Sequence, residues 1–152
     1  MAVFTNKGCS HYIFISVVAS GRQRHVFSAT MSRDIANVQN HSTVVFDNVI
    51  TNIGTAYSPS NGIFTCKMAG IYVFVWTTTN KNRTWMNTEL VLNGQWKGLA
   101  ISDSGDITDY SVASNTVVLD LEVGDQVWIR AGTWHNGHLG GDSRTSFSGF
   151  ML

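Results

Sequence analysis

Charge is scarce in this chain. Only 13% of its 152 residues are charged, where an ordinary soluble domain carries about 25%. Ten basic side chains balance ten acidic ones, and no run of Lys and Arg is long enough to make a nucleic-acid footprint. A surface so poor in charge predicts that part of it is covered by partner subunits. Proline occurs once and cysteine twice. Cys9 and Cys66 are too far apart in sequence for a Cys-x-x-Cys metal motif. No apolar run approaches the roughly 20 residues of a membrane-spanning helix. Collagen-like Gly-x-y repeats, heptad seams and low-complexity tracts are missing too. So are the usual catalytic signatures. Ser143, Ser146 and Ser148 lie near Asp142 and His138, but without a Gly-x-Ser-x-Gly elbow. His135-x-x-His138 offers only part of a zinc ligand set. His-Glu-x-x-His and phosphate-binding glycine loops do not occur. No enzymatic activity is expected.

What is present is a series of short strands. Glycine is frequent, and Gly, Asn and Ser punctuate the chain at short intervals. Strands are expected over residues 26–31, 43–46, 63–67, 71–78, 90–92 and 144–152. Asn93-Gly94 is a tight-hairpin signal. Val117, Leu119 and Leu121 alternate up to a turn at residues 122–125, and Val127, Ile129 and Ala131 alternate after it. No window repeats apolar residues at spacings of three and four, so helix content should be near zero. One domain with a single core fits this length.

The densest pattern lies at residues 46–76. Phe46, Asn52, Tyr57, Phe64, Gly70, Tyr72, Phe74 and Trp76 recur at fixed offsets, the last four as Gly-x-Tyr-x-Phe-x-Trp. Alternate residues share a strand face, so this strand presents an aromatic stripe to a core. The spacing resembles the signature of the complement C1q globular-head family, within the tumour-necrosis-factor-like superfamily. Residues 26–31 resemble that family's first strand and residues 146–152 its last. Trp76 stands where the family usually has Phe or Tyr. The resemblance covers residues 25–152. It implies an all-β fold, a ten-stranded jelly-roll β-sandwich, and assembly into a homotrimer or a mixed trimer with a paralogue. Family members with a collagen stalk join their heads through it; this sequence resembles a head alone.

Residues 1–24 form a separate N-terminal segment. Residues 12–19 (YIFISVVA) read either as a weak secretory signal or as a strand rich in β-branched residues, and the strand or retained segment is preferred. Residues 22–24 read as an exposed link. Cys66 is expected to be a buried free thiol, with a Cys9–Cys66 disulfide as the alternative.

Three polar stretches read as loops carry one tryptophan each: Trp85 in 80–85, Trp96 in 93–98 and Trp134 in 133–142, the last two with glycines. Trp76 and Trp128, on alternating strands, are expected in the core. An aromatic face beside hydrogen-bonding side chains suits a sugar ring. The predicted ligand-binding residues are Trp134, His135, Asn136, His138 and Asp142, assisted by Trp85 and Trp96. Each tryptophan taken singly could instead pack against a neighbouring subunit or cap the barrel. Asp103, Asp106 and Asp109 offer hard oxygen ligands to calcium, but a solvated turn is the preferred reading, and no cofactor is required. Residues 40–42 (NHS) and 82–84 (NRT) match the N-glycosylation pattern.

The expected function is that of a secreted, extracellular lectin of innate immunity. It would bind glycans on microbial or other cell surfaces, with acetylated sugars as one ligand class. The alternative is a cytokine-like or synapse-organiser-like ligand for a protein receptor; a structural or storage protein ranks third. Neither nucleic acid nor membrane insertion is expected.

Overall fold

A computed structural model describes residues 24–152. The apolar run at 12–19 and Cys9 lie outside the described residues. Twelve strands follow one another, with no helix among the described residues: β1 Val26–Thr30, β2 Ile35–Ala36, β3 Asn48–Ile53, β4 Tyr57–Ser58, β5 Ile63–Thr65, β6 Gly70–Lys81, β7 Trp85–Leu92, β8 Gln95–Asp103, β9 Tyr110–Leu121, β10 Gln126–His135, β11 His138–Leu139 and β12 Ser146–Met151. Ten of them form two antiparallel five-stranded sheets, ordered β3-β1-β12-β6-β9 and β4-β5-β10-β7-β8. The expected ten-stranded jelly-roll sandwich is therefore present. A two-stranded ribbon, β2 with β11, is added at one end.

The signature residues build the core. Tyr72, Phe74 and Trp76 alternate inward along β6 and are fully buried. Phe27 stacks on Tyr57 at 4.7 Å between centroids and meets Phe147 edge-on at 4.9 Å. Phe64 meets Phe74 edge-on at 5.3 Å. Offset and edge contacts of this kind add to the burial of the rings. Asn52 and Tyr57 have polar tasks. Asn52 Nδ2 donates to the Tyr57 carbonyl at 2.8 Å, and the Tyr57 hydroxyl donates to the Phe46 carbonyl at 3.0 Å. Burial pushes the Tyr57 pKa up to about 12. These bonds hold the segment before β3 against the core although it is not a strand. Residues 43–46, expected as one, contribute only an isolated bridge from Thr43 to Arg130. Val44 and Phe46 still point inward and are buried, which explains the strand-like alternation.

A second correction concerns Trp128. It was expected in the core but lies half-buried on the outer face of its sheet. Its neighbours Val127 and Ile129 are the buried pair, and strand alternation forces Trp128 outward. Cys66 is a buried free thiol that donates to the Met68 carbonyl at 3.0 Å; burial pushes its pKa up.

One end of the sandwich interior is polar. The Trp76 indole donates to Thr88 Oγ1 at 3.0 Å, and Thr88 shares a 2.6 Å hydrogen bond with Thr78. Asn80 is fully buried. Its Nδ2 donates to the His138 carbonyl at 2.6 Å, and its Oδ1 accepts from Ser102. Satisfied buried polar groups of this kind fix geometry. Here they tie β6, β8 and β11 together beneath the residues predicted to bind ligand.

A candidate ligand-binding groove

The outer face of the β10-β7-β8 layer is built in rows. Trp128, Val91 and Trp96 are register partners across the three strands, and Arg130, Glu89 and Leu99 form the next row. Asn87 pairs with Ile101 beyond them. In β10 the register with β7 then breaks between Ala131 and His135. An irregularity of this kind re-aims side chains. It leaves Thr133 exposed and Trp134 72% exposed.

A groove of about 230 Å³ lies on this face, lined by Asn87, Glu89, Trp96, Leu99, Thr133 and Trp134. Asn87 Oδ1 accepts the Trp134 backbone N–H at 2.9 Å, which sets the amide orientation and turns Nδ2 into a donor. Gly132 makes room for it: a Cβ at that position would overlap the Asn87 amide. Arg130 Nε donates to Glu89 Oε2 at 2.7 Å, and neither side chain is more than 22% exposed. This pairing leaves the second oxygen of Glu89 as an acceptor. The Trp96 indole N–H donates to the Gly98 carbonyl at 3.0 Å. The site thus offers two indoles, a carboxylate, a donor amide, a hydroxyl and an aliphatic side chain, with no Lys or Arg in its lining. It can offer aromatic and apolar surface to a small ring while hydrogen-bonding its edge.

The predicted site residues separate into two groups. Trp96 and Trp134 share the groove. Trp85 lies on the same face of β7 and is 41% exposed, but it does not line the groove. All three tryptophans, expected in loops, lie within strands. The others occupy the barrel end. Asn136 has its amide engaged in the fold: Oδ1 accepts the Trp85 N–H at 3.0 Å, and Nδ2 donates to the Arg83 carbonyl at 3.0 Å. His138 sits 3.6 Å from Asp34, which also pairs with Lys81. The Lys81 hydrogen bond, then the Gly141 N–H, holds the Asp34 pKa below the ordinary value. Asp142 is exposed and pairs with Arg144 at 3.0 Å. His135 is half-buried, and both its ring nitrogens lack a hydrogen-bond partner. Asp103 uses Oδ1 to accept the Gly105 N–H at 2.7 Å, and Asp109 uses its own to accept the Tyr110 N–H at 2.7 Å. No three His, Cys, Asp or Glu side chains converge as metal ligands among the described residues.

Asn87, Glu89, Leu99 and Thr133 escaped the sequence reading. A signal for two of them existed. Trp85, Asn87 and Glu89 have strand parity opposite to the buried Leu90, so they share the outer face.

Comparison with known proteins gives concordant matches. The C1q domain pattern matches residues 26–152. A human (Homo sapiens) subunit of the complement C1q subcomponent is 34% identical over 131 residues, covering 86% of this chain and 51% of that protein. A different subunit of the same subcomponent, from Mus musculus, is 32% identical over 133 residues, covering 86% and 52%. Caprin-2 of Danio rerio is 33% identical over 132 residues, covering 85% and 14%. The chain thus spans about half the length of the two complement subunits. Among solved structures, the globular domain of zebrafish complement 1qA superposes with a TM-score of 0.68 at 21% identity, over 84% of this chain and 97% of that one. Murine APRIL gives 0.66 at 17% identity, over 85% and 99%. Eiger, a TNF from S. frugiperda, gives 0.69 at 9% identity, over 86% and 94%. At these identities the structures speak for the fold.

Proposed function

The chain belongs to the C1q domain family, and from that premise we propose that it is a secreted, multivalent lectin acting in innate pattern recognition. The observation that carries this reading is the groove in which Trp96 and Trp134 flank Asn87 and Glu89. A pyranose has apolar C–H faces and a hydroxyl edge. Indole surfaces suit the faces; the amide and the carboxylate suit the edge. The volume fits about one sugar ring, with Leu99 available to an acetyl methyl group. Affinity at one such site is modest, so the reading includes a trimer presenting three grooves to a glycan-bearing surface. The role is one of binding, with calcium unnecessary. Two relatives are by name subunits of complement C1q, in keeping with assembly and with immunity.

The test is a glycan array with purified protein, with and without chelator, followed by cell agglutination with the best free sugar as competitor. Selective glycan binding and sugar-inhibited agglutination are expected. An array without selective binding, together with tight binding to a single receptor protein, would replace this reading with the receptor-ligand alternative.

A further inference from the structure

The lining of the groove has a charge asymmetry. Its only ionisable side chain is Glu89; Asn87, Trp96, Leu99, Thr133 and Trp134 complete it. Arg130 is the nearest partner of that carboxylate and is already engaged through Nε at 2.7 Å. It stands one strand away, in the Arg130–Glu89–Leu99 row, and holds Glu89 in place without entering the lining. Lys97 follows Trp96 in the chain, at the point where β8 slips register against β7, and is exposed. A ligand resting on the two indoles therefore meets an acceptor carboxylate, and the nearest guanidinium stands beside that carboxylate, outside the lining and already paired with it.

We propose that Glu89 is a specificity-determining residue that makes the groove take pyranoses with neutral or amine substituents and reject acidic ones. The inference rests on the lectin reading and names its ligand class. Hydroxyl and ammonium groups donate to the unpaired oxygen of Glu89. A uronate, sialate or sulfate would face it as a like charge in a partly desolvated site, where such juxtapositions are costly. Competing for Arg130 offers no escape, because breaking a half-buried pair leaves Glu89 uncompensated. Rejection of this kind is discrimination by repulsion as well as by fit.

The experiment measures affinity for matched pairs, glucose against glucuronate and galactose against galacturonate, presented on the same scaffold. The unaltered protein should prefer the neutral partner by at least about tenfold at low salt. The ratio should shrink as salt rises, because screening weakens the repulsion. Glu89→Gln keeps the shape and removes the charge, so it should narrow the ratio of neutral to acidic sugar even where it weakens binding of both. The salt series on the unaltered protein tests the proposal even where the variant misfolds. Equal or tighter binding of the uronates, still weakened by Trp134→Ala, would overturn the charge selection and leave the lectin reading standing. Binding of neither sugar, or binding indifferent to Trp134→Ala, would overturn both.

Discussion

Trp134 is placed by its backbone and exposed in its side chain. Its N–H is held by Asn87, while its indole is 72% exposed and contributes little to the core. Trp134→Ala should therefore leave the melting temperature nearly unchanged and weaken sugar binding by about 1–2 kcal/mol per site. Calorimetric titration with the array-selected sugar measures this, and unchanged affinity would remove Trp134 from the site. His135, the next residue, behaves in the opposite way. Its ring nitrogens are buried without partners, and burial pulls its pKa below the ordinary 6.5. The folded state thus resists a proton that the unfolded chain accepts. Below about pH 6.5 the unfolded state binds more protons, so stability falls as pH drops from that point toward the folded pKa. Asp34 and Asp47, both held below 3.8, lose their contributions only at lower pH, which separates the two effects. Denaturant midpoints at pH 7 and pH 5 should differ less in His135→Leu than in the unaltered protein. Equal pH slopes would show that another group carries the dependence.

At the level of the element, β6 shows how a strand reads when one face is wholly buried. Phe74 is fully enclosed among Phe27, Phe64, Tyr72 and Phe147. Phe74→Ala should cost about 3–5 kcal/mol, a large share of a domain's stability, and abolish soluble folded protein. Retention of the native melting temperature would contradict the burial. The inward stripe of this strand was legible because alternation and aromaticity coincide. Strand β7 was legible only at its C-terminal end. Both of its faces are largely covered, so apolar and polar residues do not alternate cleanly along it. Asn87 and Glu89 were therefore missed. The site residues were misgrouped for a related reason. Proximity in sequence suggested that Trp134, His135, Asn136, His138 and Asp142 act as one loop. Instead, Trp134 projects over the outer sheet from the irregular end of β10, whereas Asn136 and His138 turn to bonds within the barrel end. Trp96 is set beside Val91 by the Asn93-Gly94 hairpin, whereas Trp134 joins it through the pairing of β10 with β7, and register between strands so distant in sequence has no signature along a single strand.

For the whole molecule, the scarcity of charge acquires a location. On the outer face of the β3-β1-β12-β6-β9 sheet, Val118, Val73, Phe150, Val26 and Ile53 are successive register partners across all five strands. Val118 is 59% exposed and Ile53 55%. The adjoining row is Thr116, Val75, Ser148, Ser28 and Thr51. Neither row contains a charge. An apolar band across an entire sheet is unusual on an isolated chain, and depletion of charge is what distinguishes the centre of an interface. This face is opposite to the groove-bearing sheet, so an assembly closing over it would leave the grooves turned outward. Sedimentation should show a trimer, and Val118→Asp combined with Phe150→Asp should release monomers, because an unpaired charge buried there costs several kcal/mol. The monomers should retain the sugar affinity of a single groove while losing agglutination, since linkage of sites supplies the avidity. A double variant that remains trimeric would place the interface elsewhere, and one that is monomeric yet agglutinates cells would separate agglutination from this assembly.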